Sequence, residues 1–204
     1  MRIVSYNCKN IKTSTQAINH LLRENNVILI QEHWLFQFQI HKLGEIAAEI
    51  YFEGKSVDIQ NNINPSQQPR GYGGVAILWK KEIHHLIKPY KDGNERIQCI
   101  EFKDNNQRSL LIVYVYLPTK GCHDLDEYIY SILFEIYQKY NLTHDILIGG
   151  DINWKKYDFF FGVKSWFFTR NTPKFSRLPP LGAFFLNAPP PLTWNPGSAP
   201  ETIY

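Results

Sequence analysis

Leu29-Ile30-Gln31-Glu32-His33 and, more than a hundred residues later, Ile148-Gly149-Gly150-Asp151-Ile152-Asn153 each read as a buried strand that runs into a carboxylate. An apolar run has no packing reason to stop on an acid. It has a chemical reason if two such acids meet at one sheet edge around a hard cation, because proteins hold Mg²⁺ beside a phosphate through one or two carboxylates. The flanking residues supply the rest of such a sheet. Ile3 to Asn7 reads as a first strand, and Thr13 or Ser14 is placed to cap a helix with Ile18, Leu21 and Leu22 on one face, ending near Asn25-Asn26. Val27 to Gln31 is then a short apolar run of central-strand type.

Residues 33–50 are mixed, with weak helical periodicity, and residues 54–70 are polar enough to read as an exposed loop. Gly73 to Trp79 reads as the next strand. Ile97 to Phe102 and Leu110 to Tyr116 flank a polar turn and read as an antiparallel hairpin. Leu125 to Tyr140 carries Tyr128, Ile129, Ile132, Leu133 and Ile136 at helical spacing, and Ile146 to Ile148 is a further strand. Hairpins interleaved with strand-helix-strand units imply an α/β chain with mixed sheets.

Length and composition fit one soluble globular domain: 204 residues, 44% apolar and 20% charged. The net charge of +3 neither demands nor excludes nucleic acid, since a local basic groove would suffice. Cys8, Cys99 and Cys122 are an odd, widely spaced set and read as free thiols in a reducing compartment. Met1-Arg2 leads straight into a strand pattern, so no secretory signal is expected, and no apolar run is long enough to cross a bilayer. The expectation is an intracellular chain without a membrane partner. Periodicity fades after Asn153, and eight of the twelve prolines lie between Lys155 and Tyr204, where only Asp158 and Glu201 are acidic. Residues 1–154 therefore form the well-patterned part of a single domain, and 155–204 a divergent or truncated part.

Taken alone, each site candidate has an ordinary reading. Glu32 could be a surface acid at a strand end, and Asn7 a turn residue. Tyr116, before Leu117-Pro118, could be a packed strand aromatic. Asp151 is more specific, because Gly149-Gly150 puts bare backbone against it, although Gly-Asp-x-Asn is also good Asx-turn material. Asn153, two residues on, shares a face with Asp151 if the segment is extended. Four strand ends thus carry Asn7, Glu32, Tyr116 and the Asp151/Asn153 pair, and their joint occurrence argues for a site.

Five ordered motifs carry a resemblance: Ser5-Tyr6-Asn7, Ile30-Gln31-Glu32, Gly71-Tyr72-Gly73-Gly74-Val75-Ala76, Val115-Tyr116-Leu117-Pro118 and Gly150-Asp151-Ile152-Asn153. Together they resemble the endonuclease/exonuclease/phosphatase superfamily over about residues 2–154. Gln31-Glu32-His33-Trp34-Leu35 and Arg70-Gly71-Tyr72-Gly73-Gly74-Val75-Ala76-Ile77-Leu78 are most similar to endonuclease domains of non-LTR retrotransposons. The resemblance implies a four-layer α/β sandwich, two packed mixed β-sheets flanked by helices, incomplete at the C-terminus. It implies that Asn7 and Glu32 hold Mg²⁺ (or Mn²⁺), that Asp151 aligns or deprotonates the attacking water, and that Asn153 and Tyr116 bind the scissile phosphate. DNA is the implied partner; from the residues themselves, Lys9, Lys12, Arg70, Lys80 and Lys81 are candidates to line its groove with Tyr72 stacking nearby, and scattered surface cations are an equally good reading of the same lysines and arginine. The implied unit is a monomer that in the family is fused to a reverse transcriptase and, in that role, nuclear.

The family closes its site with a late Asp-containing motif and often a final His. Leu186-Asn187 and Pro191 to Ser198 resemble the approach to it, but Pro200-Glu201-Thr202-Ile203-Tyr204 holds no Asp, and no His follows His144. The expectation is a DNA-nicking hydrolase impaired at this end. The alternatives are a catalytically dead remnant that at most binds nucleic acid, or a superfamily phosphatase or phospholipid hydrolase. His84-His85 invites a metal reading, but adjacent side chains do not share a face, so a solvated turn is expected.

Overall fold

A computed structural model describes the backbone of residues 1–59, 63, 66, 71–104, 109–117, 123–151 and 165–168, and the side chains of these except 123–127, 151 and 165–168. The first sheet contains β1 (Ile3–Asn7), β2 (Val27–Gln31), β3 (Ile50–Lys55) and β4 (Val75–Lys80), in the order β1-β2-β4-β3. Here β1 and β2 are parallel, and β4 is antiparallel to both β2 and β3. The second sheet runs β5 (Ile87–Tyr90), β6 (Ile97–Lys103), β7 (Ser109–Tyr116), β8 (Asp145–Asp151) and β9 (Ser165–Phe168) in sequence order. Its first three strands are antiparallel, and β7, β8 and β9 are parallel. Both sheets are mixed, as the alternation of hairpins and crossovers implies.

Three apolar layers fuse these elements into the expected four-layer sandwich. Val27, Leu29, Val75, Ile77 and Trp79 of the first sheet meet Ile100, Leu110, Ile112, Tyr114 and Leu147 of the second. On the far side of the first sheet, Ile28, Ile30, Ala76 and Leu78 pack against Ile11, Ile18 and Leu22 of α1 (Ile11–Glu24). On the far side of the second, Leu111, Val113, Val115, Ile146 and Ile148 pack against Ile129, Leu133 and Ile136 of α2 (His123–Tyr140). Strands covered on both faces are apolar on both, which is why residues 27–30 show no alternation. The phenol of Tyr114, dry between the sheets, donates to the Leu29 carbonyl at 2.9 Å and so links the two sheets through their core.

Several expectations need correction. α1 is capped by Asn10, whose Oδ1 accepts from Lys12 N at 3.1 Å; Ser14 is buried one turn in and donates to the Cys8 carbonyl. The strand placed at Gly73 begins at Val75, because Gly73 and Gly74 both have left-handed φ. Strand β3 lies where a mixed segment gives way to a polar loop, and Gly54 inside it disguises the pattern. That glycine is needed because a Cβ there would lie 2.6 Å from Leu43 of the 3₁₀ helix Gln37–Glu45 packed on it. Within the stretch read as an exposed loop, Lys55, Ser56 and Asp58 are buried; most of 60–70 lies outside the described residues. The helix read over Leu125 to Tyr140 is α2, with Ile129, Leu133 and Ile136 in the core and Tyr128 exposed. His84 and His85 are solvent-exposed as expected, but on a 3₁₀ helix, Lys81–Leu86, with His84 stacked on Tyr51 at 3.9 Å. Cys8 and Cys99 are free and buried, and Cys122 lies outside the described residues.

Candidate active site

Parallel β1 and β2 end side by side, with Asn7 in register with Gln31, so Asn7 and Glu32 leave the same edge of the first sheet. The turn after β2 is built from both sides. Cys8 N donates to Gln31 O, Asn10 N to Glu32 O and Ile11 N to His33 O; from the other flank, Glu32 N donates to Gly74 O and Trp34 N to Gly73 O. Glu32 (φ 55°) and Trp34 (φ 59°) are thereby held in left-handed backbone, which costs a non-glycine residue on the order of 1 kcal/mol or more. Such strain persists only where the surroundings over-determine it, and these five backbone hydrogen bonds do so.

His33 locks the turn from beneath. It is fully buried, its Nδ1 accepts from Leu35 N at 3.0 Å, and its Nε2 therefore carries the proton donated to Lys55 O at 3.1 Å. Burial pushes this imidazole down to about 4, against two backbone hydrogen bonds that act the other way. The two glycine-rich contacts fit it closely: a Cβ on Gly74 would strike the His33 ring, and one on Gly71 would lie 2.2 Å from the Trp34 carbonyl oxygen. The Glu-His-Trp-Leu and Gly-Tyr-Gly-Gly runs are thus packing partners.

The second sheet delivers Tyr116. Leu110, Ile112 and Tyr114 point toward the first sheet, and Tyr116 continues that face to the rim. There its hydroxyl donates to Glu32 Oε1 at 3.1 Å, across 84 residues of sequence. Asn7 Nδ2 donates to the same oxygen at 2.7 Å. That bond orients the Asn7 amide and leaves Oδ1 buried with no hydrogen-bond partner among the described residues. Among the described residues this is a buried carbonyl oxygen without a donor beside a carboxylate whose side-chain hydrogen bonds fall on one oxygen, a set of hard oxygen donors that fits a cation such as Mg²⁺. No group of three or more His, Cys, Asp or Glu side chains gathers among the described residues, so the carboxylate and the amide are the donors in view.

Strand β8 brings Asp151 to this rim: its backbone pairs with Tyr116 at the end of the parallel β7–β8 ladder. Gly150 makes that approach feasible, since at φ 142° any Cβ would lie 1.7 Å from the Val115 carbonyl oxygen. The side chain of Asp151, together with Asn153 and Arg70, lies outside the described residues. Lys9 is exposed immediately after Cys8, and Tyr72, 52% exposed, stands edge-on to Phe36, so both sit on the loops that surround the Glu32 turn. Lys12, in the first turn of α1, is exposed near the same rim. Lys80 and Lys81 do not belong with them. They lie at the far end of β4, five and six residues from the rim at Val75, or roughly 17 and 20 Å at 3.3 Å per residue.

Sequence reasoning passed over Arg96 and Lys55, both close to this rim. Arg96 lies with its guanidinium carbon 5.8 Å from the centre of the Tyr116 ring, and Lys55 Nζ donates to the Asp92 and Ile97 carbonyls of the turn that carries it. Neither has a spacing signal, because each acts through a contact between distant segments.

The model of the endonuclease/exonuclease/phosphatase family matches residues 4–198. No curated protein matches the sequence. Among solved structures, the chain is similar to the 3′ phosphatase NExo from Neisseria bound to a product DNA hairpin, with a TM-score of 0.52 and 15% identity over 75% of this chain and 58% of that one. It is equally similar to the 3′-5′ exonuclease NExo from Neisseria meningitidis, with a TM-score of 0.52 and 16% identity over the same shares. The endonuclease domain of TRAS1, a telomere-specific non-LTR retrotransposon, follows with a TM-score of 0.47 and 17% identity over 74% of this chain and 57% of that domain. The chain spans less than two thirds of each of these structures. At such identities the likeness concerns the fold, and the family rests on the sequence model: this chain belongs to the endonuclease/exonuclease/phosphatase family.

Proposed function

We propose that the chain is a metal-dependent phosphodiester hydrolase that nicks DNA, of the type found in non-LTR retrotransposons, with Mg²⁺, or Mn²⁺ in its place, as cofactor. The observation that carries this reading is the convergence of Asn7 and Tyr116, from two different sheets, on one oxygen of Glu32. A purely structural Glu would not need a strained turn to present it at the mouth between the sheets.

In this reading Asn7 Oδ1 and Glu32 would hold the cation, and a cation there would supply positive charge against that building on the phosphate oxygens. Tyr116, already oriented by Glu32, turns its hydroxyl to a phosphate oxygen and stabilises the charge that develops there. Asp151, whose backbone lies beside Tyr116, aligns and deprotonates the attacking water. Asn153 holds a further phosphate oxygen. Lys9, Arg70 and Tyr72 contact the DNA backbone, the cations by charge and the exposed ring by stacking.

The retrotransposon assignment draws support from the two motifs most similar to those domains, which are the ones that interlock at His33–Gly74 and Trp34–Gly71. In that role the chain serves in the nucleus beside a reverse transcriptase, exposing a 3′-hydroxyl on target DNA.

A supercoiled-plasmid assay with Mg²⁺ tests the reading. The wild type is expected to convert supercoiled to open-circular DNA, and Glu32→Ala and Asp151→Ala to lower the rate at least 100-fold. Equal nicking by all three proteins would defeat it. Release of phosphate from monoesters with plasmid left intact would move the chain to the phosphatases of the family.

A further inference from the structure

The turn that leads into β6 holds an arginine whose pairing is incomplete among the described residues. The Arg96 side chain is 19% exposed, and its nearest carboxylate among the described residues, Glu95, approaches only to 3.9 Å. Its Nε is buried and makes no hydrogen bond among the described residues. A buried guanidinium N–H without a close acceptor is costly, so a fold that keeps one is poised to receive an acceptor there.

Its position says which state. The guanidinium lies over the face of the Tyr116 ring, 5.8 Å from its centre, while the hydroxyl of that ring reaches Glu32. The backbones are also tied, Tyr116 N donating to Arg96 O at 2.9 Å. An anion held by Arg96 therefore lies beside the one the phenol would touch, not at the same point. Two neighbouring anions on one ligand are what a polynucleotide backbone presents, and a phosphate monoester does not.

The turn is fixed before any ligand arrives. Lys55 Nζ donates to Asp92 O at 2.7 Å and to Ile97 O at 3.1 Å, bridging from the first sheet. The Asp92 carboxylate takes Lys139 Nζ at 2.7 Å and the Tyr140 hydroxyl at 2.9 Å. Gly93, at φ 92°, leaves no room for a Cβ against Ile97 O, and Asn94 Oδ1 accepts from Arg96 N at 3.0 Å. That last bond fixes the Asn94 amide, so its buried Nδ2 is a second donor on the same turn without an acceptor among the described residues. Among the described residues of this turn, the side-chain groups left unpaired in the interior are donors; what is missing is an acceptor.

We propose that Arg96 is the anion-holding residue of a second phosphate subsite, which takes the backbone phosphodiester next to the one facing Tyr116. The identity of the ligand rests on the phosphodiesterase reading above; the existence of an anion subsite does not.

The test measures binding of a fluorescein-labelled DNA duplex to the full chain in EDTA, where no cleavage intervenes, across a salt series. Arg96→Ala is expected to weaken binding about tenfold and to reduce the slope of log affinity against log salt by about one. Arg96→Lys is expected to restore the slope while recovering only part of the affinity, since a point charge replaces a fork. Thermal unfolding of both variants controls for folding. A wild-type slope in Arg96→Ala, or lost affinity with an unchanged slope, overturns the proposal, as does a wild type that binds no duplex. A wild type that fails to nick with Mg²⁺ yet shows the slope difference removes the hydrolase reading and leaves the subsite standing.

Discussion

Gly74 packs so closely on His33 that a Cβ there would lie 2.3 Å from the imidazole Cε1, with Gly74 itself at φ 82°. Gly74→Ala therefore meets two penalties, a left-handed backbone and overpacking against a side chain that cannot move without breaking two hydrogen bonds. The expected loss is about 2–4 kcal/mol of stability, with nicking falling further than stability because the carbonyl of residue 74 anchors Glu32 N. Urea unfolding midpoints measure the first effect. A loss below about 0.5 kcal/mol would show that the turn adapts and is not over-determined.

The same imidazole sets a pH response. His33 is buried neutral, with its pKa lowered to about 4 chiefly by desolvation, so between its ordinary value and 4 the unfolded chain takes up a proton that the folded chain refuses. The stabilisation is complete above about pH 6.5 and is lost as pH falls toward 4. Its slope approaches about 1.4 kcal/mol per pH unit within that window. Unfolding of the metal-free protein between pH 7 and pH 5 checks it. Stability that stays flat or rises on acidification across this range would mean that the ring is already protonated in the folded chain.

How much of this was legible beforehand depends on what each residue answers to. Val27–Gln31 and the β6–β7 hairpin could be read because burial on both faces forces continuous apolar runs, and the strand ends could be read because the acids interrupt those runs. β3 could not, since Gly54 serves a contact with Leu43 that local sequence does not contain. Of the site, Asn7, Glu32 and Tyr116 were individually weak and jointly informative, and the structure brings these three together. The left-handed backbone of Glu32, the neutral lock of His33 and the stacking of Arg96 on Tyr116 were invisible, because no periodicity encodes a contact between chain segments tens of residues apart.

Tyr116→Phe removes a single donor and keeps the ring under Arg96. A hydrogen bond to a charged group contributes about 1.5–3 kcal/mol when buried and less at a half-exposed rim, so the folded state is expected to lose about 1 kcal/mol or less. The nicking rate is expected to fall about 10- to 100-fold, through kcat rather than KM, because the hydroxyl is assigned to charge that develops during reaction. A change confined to KM would move Tyr116 from the reacting phosphate to ground-state binding.

Asn7 offers a test of the cation that does not depend on turnover. Its Nδ2 lies 2.7 Å from Glu32 Oε1 while its Oδ1 has no hydrogen-bond partner among the described residues. Asn7→Asp replaces that donor by a second carboxylate in contact with the first, and without metal the like charges are expected to cost about 1 kcal/mol or more. A divalent cation held by both groups reverses the sign, because it binds the folded chain alone and stabilises it by mass action. The expected result is a lower melting temperature than wild type in EDTA, and a larger upward shift on adding Mg²⁺. Glu32→Gln should show the opposite, a reduced shift. Equal Mg²⁺-induced shifts in the wild type and both variants would place the cation somewhere other than between Asn7 and Glu32.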